Sequence, residues 1–166
     1  MMTKEQCVNK ALSLFEQGYG CTQSVLLTFA PLYNLDTDIA MRLAFPFNVG
    51  MSGLREKCGA LTGSFMVVGL GCGGSQPRDV EARRALFKKV RELNKGIEEI
   101  YGTSSCGELL KRDAEMKFEV RNADEGKPRF HKNICHAVVA DAVSAVYDVV
   151  FANAEVSTPS ACETNA

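Results

Sequence analysis

The stretch EKCGALTGSFMVVGLGCGG, residues 56–74, decides how this chain of 166 residues folds. It is uncharged after Lys57, and it carries Cys58 near its start and Cys72 near its end. Residues four apart lie on one face of a helix, and glycines on such a face let a neighbouring backbone approach closely. The stretch contains two such pairs, Gly59 with Gly63 and Gly69 with Gly73. We therefore predict a core helix with close helix–helix contacts.

Apolar residues recur at helical spacing along most of the remaining chain. The clearest series has spacings of four, three, four and three, at Leu86, Val90, Leu93, Ile97 and Ile100. It predicts a helix over about 78–101 that ends at Gly102. Comparable patterns predict a helix ending at Gly18, one over 21–30, one capped by Asp36, one in SSCGELLKR (104–112) and one over about 133–154. We predict one compact all-α domain over 1–155, a loop or short strand within 115–131, and a flexible tail over 156–166.

The charges of the chain nearly balance, with 19 basic and 20 acidic residues and a net charge of −1. This balance disfavours nucleic acid or an anionic membrane surface as a partner. The N-terminal sequence MMTKEQCVNKALSLFEQ lacks the continuous apolar core of a signal peptide. We expect a cytoplasmic location with no membrane partner, while the sequence leaves a homo-oligomer open.

Seven cysteines are the most distinctive feature of the composition. An odd number of cysteines without a signal peptide argues against a secreted disulfide framework and favours metal binding, redox chemistry or core filling. Four of them fall where helices are predicted to start: Cys21, Cys58, Cys106 and Cys135. For Cys106 the pattern Ser105-x-x-Glu108 predicts a capping box. We interpret Cys7 and Cys72 as core-filling residues and Cys162 as incidental.

A helix N-terminus presents unpaired N–H groups and the positive end of the helix dipole. A cysteine there can have a pKa well below the free value of about 8.5, which favours the thiolate that attacks disulfides and binds metals. No C-x-x-C motif is present, so any shared site must be assembled by helix packing. Two redox pairs, one four-thiolate metal site and inert buried thiols all stay open at this point. His136 could tune the Cys135 thiolate or act as a ligand, and His131 adds positive potential nearby.

The contexts of these four cysteines together resemble a known family. They are GYGCTQSVL around Cys21, CGALTG from Cys58, GTSSCGEL around Cys106 and NICHAVV around Cys135. The chain is similar over roughly residues 5–150 to the redox-active family named for the pattern C_GCAxxG_C_C. This resemblance implies that the four cysteines are the family's characteristic cysteines and that they act in redox chemistry, without naming an electron donor or acceptor.

Three hypotheses follow for the function. The first is a thiol redox protein that needs no cofactor, with Cys58 as the reactive thiolate, the other three cysteines as resolving thiols, and an unidentified redox partner. The second is that Cys21, Cys58, Cys106 and Cys135, with His136 as an additional candidate, bind an iron–sulfur cluster or zinc. The third is a non-catalytic helical interaction domain with inert buried thiols.

Overall fold

The computed structural model describes residues 2–74, 76–113 and 133–151. These ranges fold into a single compact helical domain, so the prediction of an all-α fold is confirmed. The ambiguous segment 115–131 and the tail 156–166 lie outside the described residues. Besides short helical turns at Ala30–Tyr33, Phe45–Phe47 and Asn48–Met51, the described helices are α1 (Lys4–Glu16), α2 (Cys21–Phe29), α3 (Thr37–Ala44), α4 (Gly59–Cys72), α5 (Val80–Tyr101), α6 (Cys106–Arg112) and α7 (Asn133–Phe151).

Local capping explains where several helices begin and end. The Asp36 carboxylate accepts a hydrogen bond from the Ile39 N–H at 2.9 Å and caps α3, as the sequence predicts. Asp79 caps α5 in the same way through the Ala82 N–H, also at 2.9 Å. At the other end of α5, Gly102 adopts a left-handed φ of 72°, a conformation that glycine tolerates without strain.

Substituting alanine for Asp36 is expected to destabilise the protein by about 1 kcal/mol, because the first turn of α3 loses its side-chain acceptor. Asp38, two residues later, is a matched control, since its carboxylate only pairs with exposed Arg42 at 3.6 Å. We expect Asp38→Ala to cost no more than about 0.5 kcal/mol. Urea unfolding of both variants checks this, and equal losses would contradict the capping role.

Helix α4, the glycine-rich helix of the opening stretch, lies at the centre of the core and packs against α2, α5 and α7. The first glycine pair makes the predicted close contact with α2. A Cβ built on Gly63 would lie 2.8 Å from the Thr22 carbonyl oxygen. The second pair does not, and that prediction is wrong: a Cβ on Gly69 would meet no atom of the described residues within 4 Å, and Gly73 follows the end of the helix.

Helix α7 is the other central element, and it packs against α1, α4 and α5. With 19 residues and a mean hydropathy of 1.7, it is long and apolar enough to cross a bilayer by length and composition alone. Half of this apolar stretch is buried inside the protein, and core helices of globular proteins can reach the same length and hydropathy. Polar contacts also tie it to its neighbours, since the Tyr101 hydroxyl on α5 donates to Asp141 on α7 at 2.6 Å.

Candidate functional site

Cys21, Cys58, Cys106 and Cys135 all line one cavity of about 320 Å³. Cys21 and Cys106 are the first residues of α2 and α6, Cys58 immediately precedes α4, and Cys135 lies in the first described turn of α7. Four helices therefore begin around the same space. The rest of the lining is mostly apolar and includes Phe15, Val49, Leu109, Leu110, Ile134 and Val138.

A short antiparallel pairing joins the segments that precede α4 and α6. Lys57 and Ser105 form an isolated β-bridge. The Cys58 N–H donates to the Ser104 carbonyl at 2.9 Å, and the Cys106 N–H donates to the Glu56 carbonyl at 2.6 Å. Because each cysteine amide is held by the opposite segment, this pairing sets Cys58 beside Cys106 although 48 residues separate them in sequence.

The start of α6 lacks the hydrogen bonds of the predicted capping box. The helix does begin at Cys106 with Ser105 as its N-cap residue. However, the Ser105 hydroxyl donates to the Arg55 carbonyl at 3.3 Å, and the Glu108 carboxylate accepts from Lys111 at 2.6 Å. The prediction of the capping box is therefore wrong, because the pairing with residues 55–58 offers Ser105 a tertiary partner that the local pattern does not reveal.

Helix α2 approaches α4 so closely that Cys21 lies over Gly59. A Cβ built on Gly59 would lie 2.3 Å from the Cys21 sulfur and 2.6 Å from the Thr22 hydroxyl oxygen. Asn48 holds the start of α2, since its side-chain oxygen accepts from the Thr22 N–H at 3.0 Å and its amide donates to Gln23 at 3.1 Å. The glycine next to Cys58 therefore makes the space that Cys21 occupies.

The loop before Cys58 has an unusual backbone conformation. Residues 49–53 all have positive φ, including 58° at Val49, and Arg55 follows with 65°. A β-branched residue at positive φ is a genuine outlier, and each such non-glycine residue costs of order 1 kcal/mol or more. The loop lies against α6, because a Cβ on Gly50 would be 2.5 Å from the Cys106 Cβ. This curled loop brings Val49 and Arg55 to the cavity.

Burial affects the pKa of two of the thiols, Cys58 and Cys106, more than their position at a helix N-terminus does. Burial raises the pKa of Cys58 to about 12, the nearby Cys21 and Cys135 sulfurs raise it too, and the N–H groups of Ala60 and Leu61 only partly oppose the rise. Burial likewise raises the pKa of Cys106, and a hydrogen bond from the Arg55 side chain acts in the opposite direction. The prediction of a low pKa at Cys58 is wrong, because desolvation of a charge in the interior outweighs the helix N-terminus.

Exposure divides the four cysteines into two pairs. Cys58 and Cys106 are each only 8% exposed, whereas Cys21 and Cys135 have intermediate exposure. Within the described ranges, none of the four forms a disulfide. Cys21 lies near both buried thiols, since a charge on its sulfur would raise the pKa of Cys58 and of Cys106. An incoming reagent therefore reaches Cys21 or Cys135 before the two buried thiols.

One family model matches residues 19–149, and its description is "Putative redox-active protein (C_GCAxxG_C_C)". The chain belongs to this family. Its own motif reads CGALTG, with Cys58 before Gly59, whereas the pattern in the family's name has glycine before cysteine. Comparison with curated proteins and with solved structures returned no match.

Among the cysteines outside the family pattern, Cys7 fills core space as predicted, because it is fully buried in the apolar cluster. Cys72, which we interpreted as a packing residue, is half-buried against the core but disulfide-bonded rather than free. Cys162 lies outside the described residues. Neither Cys7 nor Cys72 lines the cavity of the family cysteines.

His136 does not join the family cysteines in lining the cavity, although it follows Cys135 in sequence. Its Nε2 lies 3.1 Å from the Glu16 carboxylate on α1, so the buried imidazole links α7 to α1. His131 lies outside the described residues. In the described part of the chain, no group of three or more His, Cys, Asp or Glu side chains is close enough together to hold a metal ion.

Sequence reasoning missed Arg55 as a residue of the site. A lone arginine in a loop belongs to no periodic pattern or cysteine motif, and its place beside Cys106 depends on the pairing of residues 55–58 with 104–107. The one available signal was its position three residues before Cys58.

Proposed function

We propose that this protein carries out thiol–disulfide exchange with the four family cysteines. The observation that carries the proposal is that Cys21, Cys58, Cys106 and Cys135 line one cavity and that none of them is disulfide-bonded in the described part of the chain. Two thiols oxidised to one disulfide release two electrons and two protons to an acceptor, and the reverse reaction takes them up. Membership of a redox-active family supports this chemistry without specifying it.

We assign the first attack to Cys21. It is more exposed than Cys58 or Cys106, and it lies close enough to both for its charge to influence them. A thiolate on Cys21 that attacks an external disulfide forms a mixed disulfide, and Cys58 or Cys106 then attacks the Cys21 sulfur and releases the second external thiol. A resolving thiol with a raised pKa fits this order, since the second step occurs inside the cavity at high local concentration.

The metal-based alternative has weaker support. An iron–sulfur cluster or zinc needs three or four ligands converging on one point. The cysteines share a cavity, but within the described ranges they do not form a ligand cluster of that kind. The thiols fit sequential exchange better than simultaneous coordination.

Mild oxidation of the fully reduced protein, followed by alkylation and peptide mapping by mass spectrometry, tests the proposal. We expect two or four of the cavity thiols to become protected from alkylation, while Cys7, which is 0% exposed, stays reduced as an internal reference. The Cys21→Ser variant should oxidise at least about tenfold more slowly, because exchange follows the access and thiolate character of the attacking sulfur.

Two results would overturn the proposal. The first is that all four cavity thiols stay reduced in oxidant while the protein remains folded. The second is stoichiometric iron or zinc in anaerobically purified protein, with thiols that cannot be alkylated until a chelator is added; that result would favour the metal-based alternative.

A further inference from the structure

We propose that the cavity binds a small organic disulfide, or the thiol derived from it, that carries an anionic group beside an apolar body, and that Arg55 binds the anionic group. This inference rests on the proposed exchange chemistry and adds the substrate class. Three features of the site carry it: the size of the cavity, its apolar lining, and the position of one arginine.

The size of the cavity favours a small molecule over a protein segment. Its volume of about 320 Å³ is near the lower limit of small-molecule pockets, which begin at about 300 Å³. Cys21, to which we assign the first attack, lines this cavity and has only intermediate exposure, so the disulfide of a folded partner would have to enter the cavity to meet its sulfur. A compact ligand can enter and present its sulfur to Cys21.

The lining of the cavity favours an apolar ligand body. Besides the cysteines and glycines, its walls come from side chains of α1, α6, α7 and the curled loop, namely Phe15, Val49, Leu109, Leu110, Ile134 and Val138. Such a wall holds an aromatic ring or alkyl chain by burial of apolar surface. A strongly polar ligand would lose its hydration without gaining hydrogen bonds in return.

Arg55 is the only charged residue in the described lining of the cavity, and its backbone is tightly held. Its carbonyl accepts hydrogen bonds from the Gly107 N–H at 3.0 Å and from the Ser105 hydroxyl at 3.3 Å. In the described ranges its guanidinium forms no ion pair with a carboxylate; it contacts the Cys106 thiol instead. A non-glycine residue kept at φ 65° in such a place is typical of a functional position.

The neighbouring cation cannot take this role. Lys57 donates to Asn94 at 2.9 Å and to the Ser104 hydroxyl at 2.5 Å, behind the pairing of the two segments. Among the described residues, Arg55 therefore supplies the positive charge at the cavity. Guanidinium groups bind carboxylates through paired N–H donors, which is the reason for assigning an anionic ligand group to it.

The reaction balances without another reagent. The Cys21 thiolate attacks one sulfur of the disulfide R–S–S–R, a Cys21–S–S–R bond forms, and one R–S⁻ leaves. A second cavity thiol loses its proton and attacks the Cys21 sulfur, which forms the protein disulfide and releases the second R–S⁻. The external disulfide gains two electrons and the protein dithiol loses them.

Two aromatic disulfides of opposite charge character test the substrate class. We would measure exchange of the reduced protein with the dianionic dithiobis(nitrobenzoate) and with the neutral dithiodipyridine, and take the ratio of the two rates. Arg55→Gln should lower that ratio about five- to tenfold at low salt, and Arg55→Lys should restore part of it. A change in the thiol pKa would alter the rates with both reagents by the same factor, so it cancels in the ratio.

Arg42→Gln is the matched control. Arg42 is an exposed arginine on α3 that pairs with Asp38 and does not line the cavity, so its removal should leave the ratio unchanged. Higher ionic strength should reduce the effect of Arg55→Gln on the rate ratio, because salt screens an exposed charge. A folded Arg55→Gln variant with an unchanged ratio would overturn the inference and leave the exchange function standing. Failure of both reagents to oxidise the cavity thiols of the wild-type protein would overturn both.

Discussion

Replacing Gly59 by alanine is expected to destabilise the protein by about 3 kcal/mol, near the upper end of typical overpacking costs. The added Cβ would lie 2.3 Å from the Cys21 sulfur, 2.6 Å from the Thr22 hydroxyl oxygen and 3.1 Å from the Phe47 carbonyl oxygen. The Cys21 and Thr22 side chains would have to shift, and so would the backbone at Phe47, because side-chain rotation cannot relieve contact with a carbonyl. The same movement would carry Cys21 away from Cys58, so disulfide exchange should slow as well.

Gly69 on the same helix provides the control for this substitution. A Cβ at that position would meet no described atom within 4 Å, so Gly69→Ala should stabilise the protein by about 0.5–1 kcal/mol through helix propensity. Urea unfolding of both variants gives the comparison, and peptide mapping after oxidation gives the effect on exchange. If Gly59→Ala were as stable as Gly69→Ala, helices α2 and α4 could not cross as closely as described.

The second large effect concerns pH and Cys58. Burial raises the pKa of this thiol to about 12, from about 8.5–9 for an unperturbed cysteine. Between these values the folded protein keeps a proton that the unfolded chain has lost, so stability falls as pH rises from about 9 to 12. A difference of three pKa units corresponds to about 4 kcal/mol at most.

Comparison with Cys58→Ala isolates this contribution. Unfolding under reducing conditions across the alkaline range should show a steeper loss of stability for the wild-type protein than for the variant. The other buried thiols, Cys7 and Cys106, have raised pKa values as well, but they are present in both proteins and cancel in the difference. Parallel curves for the two proteins would show that Cys58 does not hold its proton in the folded state.

Most helices were predictable because their signals are local. The Asp36 cap, the stop at Gly102 and the apolar series of α5 all act within a few residues of the chain. The capping box at Ser105 failed for the opposite reason: its hydroxyl found a partner 50 residues away, at Arg55. Likewise Gly59 and Gly69 look equivalent in the sequence, and only the packing of α2 against one end of α4 distinguishes them.

The sequence by itself determined the helical architecture, the family and the four cysteines that belong together, because spacing, capping and motif context are properties of short segments. Only the tertiary structure decided that these cysteines share one cavity, that Arg55 lies among them and that burial raises the pKa of Cys58 instead of the helix N-terminus lowering it. The physical reason is that a helix N-terminus acts locally on a thiol, whereas desolvation depends on every element packed around it.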